Sequence, residues 1–351
     1  MIRRIGPALL FVAGVILAVV LAYNAGVDAI GQALAAVGPW RLALVCVTQV
    51  VSLALCAVGW WVVAGGTPLR ACLAARWIRD GATNLFGFIP AIGEAISARA
   101  LSVIGAATAG RATASTVVDV AVEALAQAVY TLVGLALLMP HLNLVQAQHW
   151  TIVAGIALLP VLLMFAISRH HGALHFVEKL GEKLAGGILG LKSETGPLNL
   201  AETVRKIYLL RGRVAAAGAL HLIAWLMSAV QVWIAAAALA HPLGIVDSVA
   251  LASLVSAARS AFFVVPWAAG VQEGGFLLVG AALGMDASSA IALSLVLRAR
   301  DVIVGAPAVF LWYAAEGRRR LDRAAAAARA FSSSQSLRCH GWIASATHHT
   351  P

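Results

Sequence analysis

The chain has 351 residues, of which 61% are hydrophobic and 11% charged, with a mean hydropathy of +0.90 and a formal net charge of +10. This composition excludes an ordinary water-soluble domain and indicates a polytopic membrane protein. Four cysteines without metal-binding spacing indicate neither a disulfide framework nor a metal centre, and we expect no cofactor.

Six apolar runs follow one another along the chain. They lie near residues 5–23, 42–64, 113–139, 151–167, 214–240 and 287–313. Each reaches or approaches the ~20 residues that a helix needs to cross a bilayer. The first run lacks a convincing signal-peptide cleavage site, so we interpret it as a span. The sequence therefore predicts an all-α membrane domain over residues 1–317 with about six transmembrane helices.

Two further apolar stretches, about 81–108 and 249–283, each contain a proline, a glycine and a carboxylate. These residues are Pro90, Gly93 and Glu94 in the first stretch and Pro266, Gly270 and Glu273 in the second. Because proline removes a backbone donor and clashes with the preceding turn, neither stretch is typical of an uninterrupted helix. Broken helices at corresponding positions of two halves are typical of a transporter's substrate site. We predict two re-entrant broken helices; the alternative is two kinked full spans and eight crossings.

The basic residues indicate the orientation. With a cytoplasmic N-terminus and six alternating spans, 21 of the 25 lysines and arginines lie on the cytoplasmic side, Arg76, Arg79, Arg99 and Arg111 among them. This asymmetry is the positive-inside rule, and it predicts cytoplasmic termini. The positive charge then reflects topology and contact with anionic lipid headgroups, so we expect no nucleic acid as a partner.

The same topology enters the first broken stretch from the cytoplasm and the second from outside. Span, broken helix and span therefore occur twice with opposite orientation, over about 41–139 and 214–313, which predicts an inverted-repeat transporter. Between the repeats, residues 168–213 form a basic cytoplasmic loop. The basic tail 318–351 is predicted to be disordered.

Ionisable side chains inside the membrane are costly, so they mark candidate functional positions. Asp119 and Glu123 are four residues apart and share a helical face. Two hypotheses remain open for them: an ion pair with Arg298 or Arg300 that holds the fold, or exposure to a polar cavity. The other candidates lie in or beside the broken stretches and the sixth span: Asn84, Glu94, Arg99, Arg259, Gln272, Glu273 and Asp301.

These residues resemble a known family. Asn84, Pro90, Gly93, Glu94 and Arg99, followed by Asp119 and Glu123, are similar to the first signature of the flippase-like membrane domain shared with lysylphosphatidylglycerol synthases. The second signature of the same domain is similar to a second set in this sequence, which consists of Pro266, Gly270, Gln272, Glu273 and Gly274, followed by Arg298, Arg300 and Asp301. The runs Ala75-Arg-Trp-Ile-Arg-Asp and Val271-Gln-Glu-Gly-Gly-Phe resemble the hopanoid-biosynthesis-associated branch called HpnL.

The resemblance implies a bacterial inner-membrane protein that moves or handles an amphipathic lipid, a hopanoid or an anionic phospholipid, beside other membrane proteins of the hopanoid pathway. Two alternatives remain: an enzyme or accessory protein of hopanoid synthesis, and an ion-coupled carrier of small solutes. The chain has no Asp-rich diphosphate motif, no paired histidine cluster and no glycine-rich phosphate loop, so we expect no enzyme.

Overall fold

The computed structural model describes residues 16–17, 19–21, 23–24, 26–86, 92–104, 107–169, 200–239, 242–262 and 265–346. Within these ranges every regular secondary-structure element is a helix. The α-helices are α1 (Val27–Ala64), α2 (Leu69–Phe86), α3 (Ile92–Ile104), α4 (Ala109–Leu138), α5 (Leu144–Arg169), α6 (Leu200–Leu209), α7 (Arg211–Ala236), α8 (Ile245–Ala261), α9 (Val271–Ala282) and α10 (Ala287–Ala346).

Three stretches among the described residues are long and apolar enough to cross a membrane. They are Val27–Ala64, Gly110–His141 and Arg211–Ala236, which contain or overlap the predicted spans 42–64, 113–139 and 214–240. The predicted span 5–23 falls largely outside the described residues. A helical membrane protein is therefore confirmed, whereas the six-span inverted repeat stays a prediction.

A break at Gly38 and Pro39 divides α1 into a short first segment and a long apolar second segment. Gly38 has a φ of 66°, a left-handed conformation that glycine adopts without steric strain, and Pro39 follows it. Proline lacks a backbone N–H, so the helix cannot continue through this position with regular hydrogen bonds. The apolar segment beyond the break packs along α7, and α4 packs against α5, α7 and α8.

Each predicted broken stretch consists of two helices that pack on each other. In the first stretch these are α2 and α3, and residues 87–91 between them lie outside the described part of the chain. In the second, α8 ends at Ala261, a short 3-10 turn spans Pro266–Ala268, and α9 begins at Val271. The turn has positive φ at Trp267, 59°, and Ala268, 46°. Non-glycine residues rarely adopt this conformation, so surrounding contacts must hold it.

Small residues allow three close helix contacts. A β-carbon at Gly93 of α3 would lie 2.0 Å from the Thr83 hydroxyl of α2, and one at Gly134 of α4 would lie 1.6 Å from the Ser253 hydroxyl of α8. A β-carbon at Gly305 of α10 would lie 3.0 Å from the Gly81 α-carbon. Close approach through small residues is the usual means of packing helices in membranes, where lipid is as apolar as the helix surface.

The outer faces of the helices are apolar and exposed. Val47 and Val50 on α1, Ile156 and Leu159 on α5, and Ile223 on α7 all project away from the protein interior. The interior contains a core of buried side chains from several helices, including Tyr130, Val232, Leu251, Phe276 and Leu293. This arrangement suits a bilayer, because lipid tails cover the outer faces.

The chain divides into two compact units, Met1–Ala306 and Pro307–Pro351. In the second unit the backbone is helical as far as Ala346, where the sequence predicts a disordered tail from residue 318. The alanine- and arginine-rich run from Arg318 to Arg329 has high intrinsic helix propensity, which accounts for the helical backbone there.

Candidate functional site

The two broken stretches meet at a cavity of about 380 Å³. This volume lies within the range of ligand-binding clefts. Apolar side chains such as Val232, Phe276 and Leu297 form part of the lining. The polar, charged and aromatic lining residues come from both halves of the chain and include Gln49, Arg76, Arg79, Asp80, Asn84, Glu94, Glu123, Trp225, Ser256, Arg259, Gln272, Arg300 and Asp301.

One wall is an ion network between α2 and α4. Arg76 donates from both terminal nitrogens to the two carboxylate oxygens of Glu123, at 2.9 and 2.7 Å. Arg79 donates to Asp119 at 3.0 Å and to Glu123 at 2.8 Å. The two arginines are three residues apart on α2 and the two carboxylates four apart on α4, so each pair shares a helical face. The network therefore ties two neighbouring helices together.

Two more ionisable groups extend this network. The Nε2 atom of His221, on α7, lies 2.9 Å from the Asp119 carboxylate, and both side chains are fully buried. Asp80 lies one turn after Arg76 on α2, and its carboxylate is 2.8 Å from the Arg76 Nε atom. A buried charge that loses its partner is strongly destabilised, so these groups constrain one another.

A second network holds the broken segment between α8 and α9. Arg298 donates to both carboxylate oxygens of Glu273, at 2.6 and 2.9 Å. It also donates to the backbone carbonyls of Trp267, at 3.0 Å, and Ala268, at 3.3 Å. Its guanidinium lies 4.8 Å from the centre of the Trp267 ring. Arg298 therefore stabilises the two residues with positive φ and joins their turn to α10.

Glu273 also caps the N-terminus of α9. Its carboxylate accepts the Gly270 backbone N–H at 2.9 Å, which satisfies a donor that the helix leaves free at its start. Gly270 has a φ of 76°, a conformation that favours glycine. Ser294 donates to Glu273 at 3.1 Å, and Gln272 donates to the Ser294 hydroxyl at 2.9 Å. Glu273 is thus a structural residue of the turn and is not among the cavity-lining residues described.

A third network links α10 to α1 and α7. Arg300 donates to the Asp301 carboxylate at 3.1 and 2.5 Å and to the Gln231 amide oxygen. Gln231 in turn donates to Gln49 at 3.1 Å. Arg300, Asp301 and Gln49 line the cavity, so this network forms part of its wall.

Within the described part of the chain, two cavity-lining charges have only long contacts with opposite charges. Glu94 lies 3.6 Å from the Arg79 Nε atom, and its side chain is 32% exposed. Arg259 lies 3.6 Å from Asp301, is 28% exposed, and donates weakly to Asn84 at 3.4 Å. These two side chains therefore differ from the tightly paired residues around them.

The structure places most of the predicted residues in one region. Asn84, Glu94, Glu123, Arg259, Gln272, Arg300 and Asp301 line the cavity, and Asp119, Glu273 and Arg298 support its walls. Gly93 lies at the contact between α2 and α3, and the half-buried Arg99 lies on α3. Pro266 begins the 3-10 turn, whereas Pro90 falls outside the described residues.

One predicted pairing is wrong. The partners of Asp119 and Glu123 are Arg76 and Arg79 rather than Arg298 or Arg300, because the two arginine side chains of α2 reach these carboxylates on α4. The sequence analysis treats Arg76 and Arg79 only as markers of the cytoplasmic side. In the structure both are buried, with 5% and 7% of their surface exposed, and both belong to the ion network.

Sequence reasoning missed His221 and Gln231 as well. Both are fully buried polar residues inside the apolar α7. Polar residues within a membrane span are functional candidates by default, so this signal was present in the sequence. For Arg76, Arg79 and Asp80, the signal was their spacing on one face of α2.

Among the described residues, one trio has the composition of a metal site. Ligand atoms of Cys56, Glu123 and His221 lie within 4.8 Å of one another. Both carboxylate oxygens of Glu123, however, accept hydrogen bonds from Arg76, and one also accepts from Arg79. Two guanidinium groups at the same carboxylate disfavour a cation there, so we assign the trio to the ion network.

Comparison with known proteins identifies a family. The family model described as the lysylphosphatidylglycerol synthase transmembrane region matches residues 7–334. Neither the curated proteins nor the solved structures include a match to the chain. The family match covers nearly the whole sequence, both broken stretches and all three networks. The chain therefore belongs to the family of the lysylphosphatidylglycerol synthase transmembrane region.

Proposed function

We propose that this protein moves the polar headgroup of an amphipathic lipid between the two leaflets of a bacterial inner membrane. The observation that carries the proposal is the charged cavity between the two broken segments, in a family named for the membrane region of a lipid synthase. The headgroup occupies the cavity while the apolar anchor stays in the surrounding bilayer.

The cavity chemistry supports this function. A polar group that enters hydrocarbon without hydrogen-bond partners loses several kcal/mol of hydration free energy, roughly 4–8 for full transfer. Carboxylates, guanidinium groups and amides line the cavity and offer such partners. The exposed apolar side chains on the outer helix faces leave the lipid anchor in contact with the membrane.

The lipid that we propose as the substrate is a hopanoid or a hopanoid-linked lipid, with an anionic phospholipid as the alternative. This rests on the resemblance of Ala75–Asp80 and Val271–Phe276 to the hopanoid-associated branch. Arg76, Arg79 and Asp80 of the first run belong to the network that forms the cavity wall. Membrane proteins of hopanoid synthesis are the partners that this substrate implies. We further propose that both termini are cytoplasmic.

The proposal does not include a chemical change to the lipid. An enzyme or accessory protein of hopanoid synthesis and an ion-coupled solute carrier are the competing functions. An enzyme would alter the lipid, and a solute carrier would accumulate a soluble compound inside vesicles. Leaflet distribution, lipid chemistry and solute uptake therefore separate the three functions.

The test uses purified protein in liposomes that contain a lipid with a fluorophore on its acyl chain. A membrane-impermeant reductant destroys the fluorophore in the outer leaflet only. We expect the protein to increase the fraction of lipid that the reductant reaches, and we expect the recovered lipid to be chemically unchanged. An altered lipid without redistribution would overturn the proposal in favour of the enzyme.

A matched pair of variants connects this activity to the cavity. Ser256→Phe fills the cavity from α8, and we expect it to slow redistribution. Val47→Phe adds an aromatic ring on the lipid-facing surface of α1, where the native side chain is 59% exposed, and should behave like the wild type. Equal rates for the two variants would place the lipid path elsewhere.

A further inference from the structure

Glu94 and Arg259 are the two loosely paired charges in the cavity wall. Among the described residues, the other charged groups that line the cavity have an oppositely charged partner within 3.0 Å. Glu94 and Arg259 have theirs at 3.6 Å, and about three-tenths of each side chain is exposed. Each therefore has hydrogen-bonding capacity that the described residues leave available.

The two charges lie on walls of opposite sign. Of the lining residues, α2, α3 and α4 contribute two arginines and three carboxylates, whereas α8 and α10 contribute two arginines and one carboxylate. The first wall thus has an excess of negative charge and includes Glu94. The second has an excess of positive charge and includes Arg259. Such a cavity is complementary to a ligand that carries both signs.

The positive side offers a place for an anion. The Arg259 guanidinium has five N–H donors, and among the described residues its hydrogen bond is a long one, to the Asn84 amide oxygen. The Asn84 amide nitrogen adds two further donors beside it. Guanidinium donors in a planar fork match phosphate oxygens especially well. A phosphodiester here would accept charge-assisted hydrogen bonds from Arg259 and further hydrogen bonds from the Asn84 amide.

The negative side offers a place for an ammonium group. Glu94 lies in the first turn of α3, and its ionised carboxylate can accept several hydrogen bonds. The Arg79 guanidinium donates to Asp119 and Glu123, which leaves only its Nε atom near Glu94. A protonated primary amine has three donors and fits an acceptor-only site of this kind.

We propose that the cavity binds a zwitterionic lipid headgroup, with its phosphodiester at Arg259 and Asn84 and its protonated amine at Glu94. This inference rests on the proposed lipid-translocating function and adds the chemistry of the headgroup. It applies to the headgroup alone, whatever apolar anchor carries it.

The test compares four lipids with the same acyl-chain fluorophore in the liposome assay. Phosphatidylethanolamine has both charges, and N-acetyl phosphatidylethanolamine keeps the phosphate but lacks the ammonium. Phosphatidylglycerol supplies a second phosphate-only headgroup, and a trimethylammonium diacylglycerol supplies a cation alone. We expect phosphatidylethanolamine to move at least about tenfold faster than its N-acetyl derivative, the effect of one charge-assisted hydrogen bond.

Two variants assign the two ends of the headgroup. In Glu94→Gln, the rate ratio of phosphatidylethanolamine to its N-acetyl derivative should fall to about one, because the amine loses its charged partner, and Glu94→Asp should restore part of it. In Arg259→Gln, lipids with a phosphate should slow by about tenfold relative to the cationic lipid, with partial restoration in Arg259→Lys.

The outcomes separate this inference from the proposed function. If the wild type redistributes none of the four lipids, the lipid-translocating function itself fails. If it redistributes all four at similar rates, that function stands and the zwitterionic site is refuted. Uptake of soluble glycerophosphoethanolamine into the liposomes would show that a free solute, rather than a lipid, supplies the same charges, and it would also refute the lipid site.

Discussion

Gly93 on α3 lies directly against Thr83 on α2. A β-carbon at position 93 would be 2.0 Å from the Thr83 hydroxyl oxygen and 2.9 Å from the Arg79 carbonyl oxygen. Real β-carbons do not approach other atoms this closely, so the contact requires glycine. The same contact brings Glu94, the next residue, to the cavity beside Arg79. The packing of α2 on α3 and the position of Glu94 therefore depend on glycine at position 93.

Gly93→Ala should destabilise the protein because the added methyl group forces α2 and α3 apart. Overpacking of this kind costs about 1–3 kcal/mol. The midpoint of thermal unfolding in detergent should decrease, and Thr83→Ala in the same chain should recover part of the loss. Gly31→Ala is the control, since nothing lies within 4 Å of a β-carbon there. A Gly93→Ala variant as stable as Gly31→Ala would contradict the close contact.

Asp119→Asn should reduce the stability and the membrane abundance of the protein. The substitution removes the charge that Arg79 and His221 contact inside the buried network. Loss of one partner from a buried ion pair costs about 3–5 kcal/mol. Thermal unfolding and quantitative immunoblotting of membranes measure the effect.

The control for Asp119→Asn is Glu202→Gln. Glu202 pairs with Lys206 at 2.8 Å on α6, but both side chains are more than half exposed. An exposed pair contributes about 0–1 kcal/mol, so this variant should remain close to the wild type. If the two variants lost equal stability, the interpretation of the α2–α4 network as a structural lock would be wrong.

Arg298→Lys should loosen the turn between α8 and α9 even though it keeps the positive charge. Lysine has a single ammonium group and cannot reproduce the bidentate contact with Glu273 together with the bonds to the Trp267 and Ala268 carbonyls. Hydrogen bonds to charged groups contribute about 1.5–3 kcal/mol each. We therefore expect faster amide hydrogen exchange in peptides covering residues 265–270. Arg205→Lys, on the exposed side of α6, should leave this exchange unchanged.

Local chemistry was enough to predict where the second broken segment lies. Pro266 and Gly270 interrupt an apolar run, and the structure breaks the helix there because proline and positive-φ positions cannot continue it. The sequence also predicts a substrate-site role for Glu273, the carboxylate in the same run, and this role stays a prediction. Its role as a cap and as the partner of Arg298 depends on α10, some 25 residues away in sequence, which a local pattern does not contain.

The partners of the charged residues could not be predicted from the sequence. Asp119 and Glu123 share a face at spacing four, but which helix lies over that face is decided by packing across the whole bundle. The close contact of Gly305 with Gly81 and the bond from Trp77 to the Val304 carbonyl bring α10 onto a different part of α2. Arg76 and Arg79 are thereby left to pair with α4. The positive-inside rule alone predicts a cytoplasmic position for these two residues and gives no partner for them.

The membrane orientation is testable with single cysteines in a background that lacks the four native ones. Ala107→Cys lies just before α4, near Arg111, and Ala287→Cys lies at the start of α10, near Asp286. The positive-inside rule places the first position in the cytoplasm, and the inverted-repeat prediction places the second outside. A membrane-impermeant maleimide added to intact cells should therefore label Ala287→Cys and leave Ala107→Cys unlabelled.

Permeabilised cells provide the control, because both cysteines should react once the reagent reaches the cytoplasmic side. Both substitutions add only a thiol to a small side chain, so the fold should tolerate them. Labelling of Ala107→Cys in intact cells would refute the predicted orientation. Protection of both positions in intact cells would instead place the start of α10 on the cytoplasmic side, and the two halves of the chain would then no longer have the opposite orientations that an inverted repeat requires.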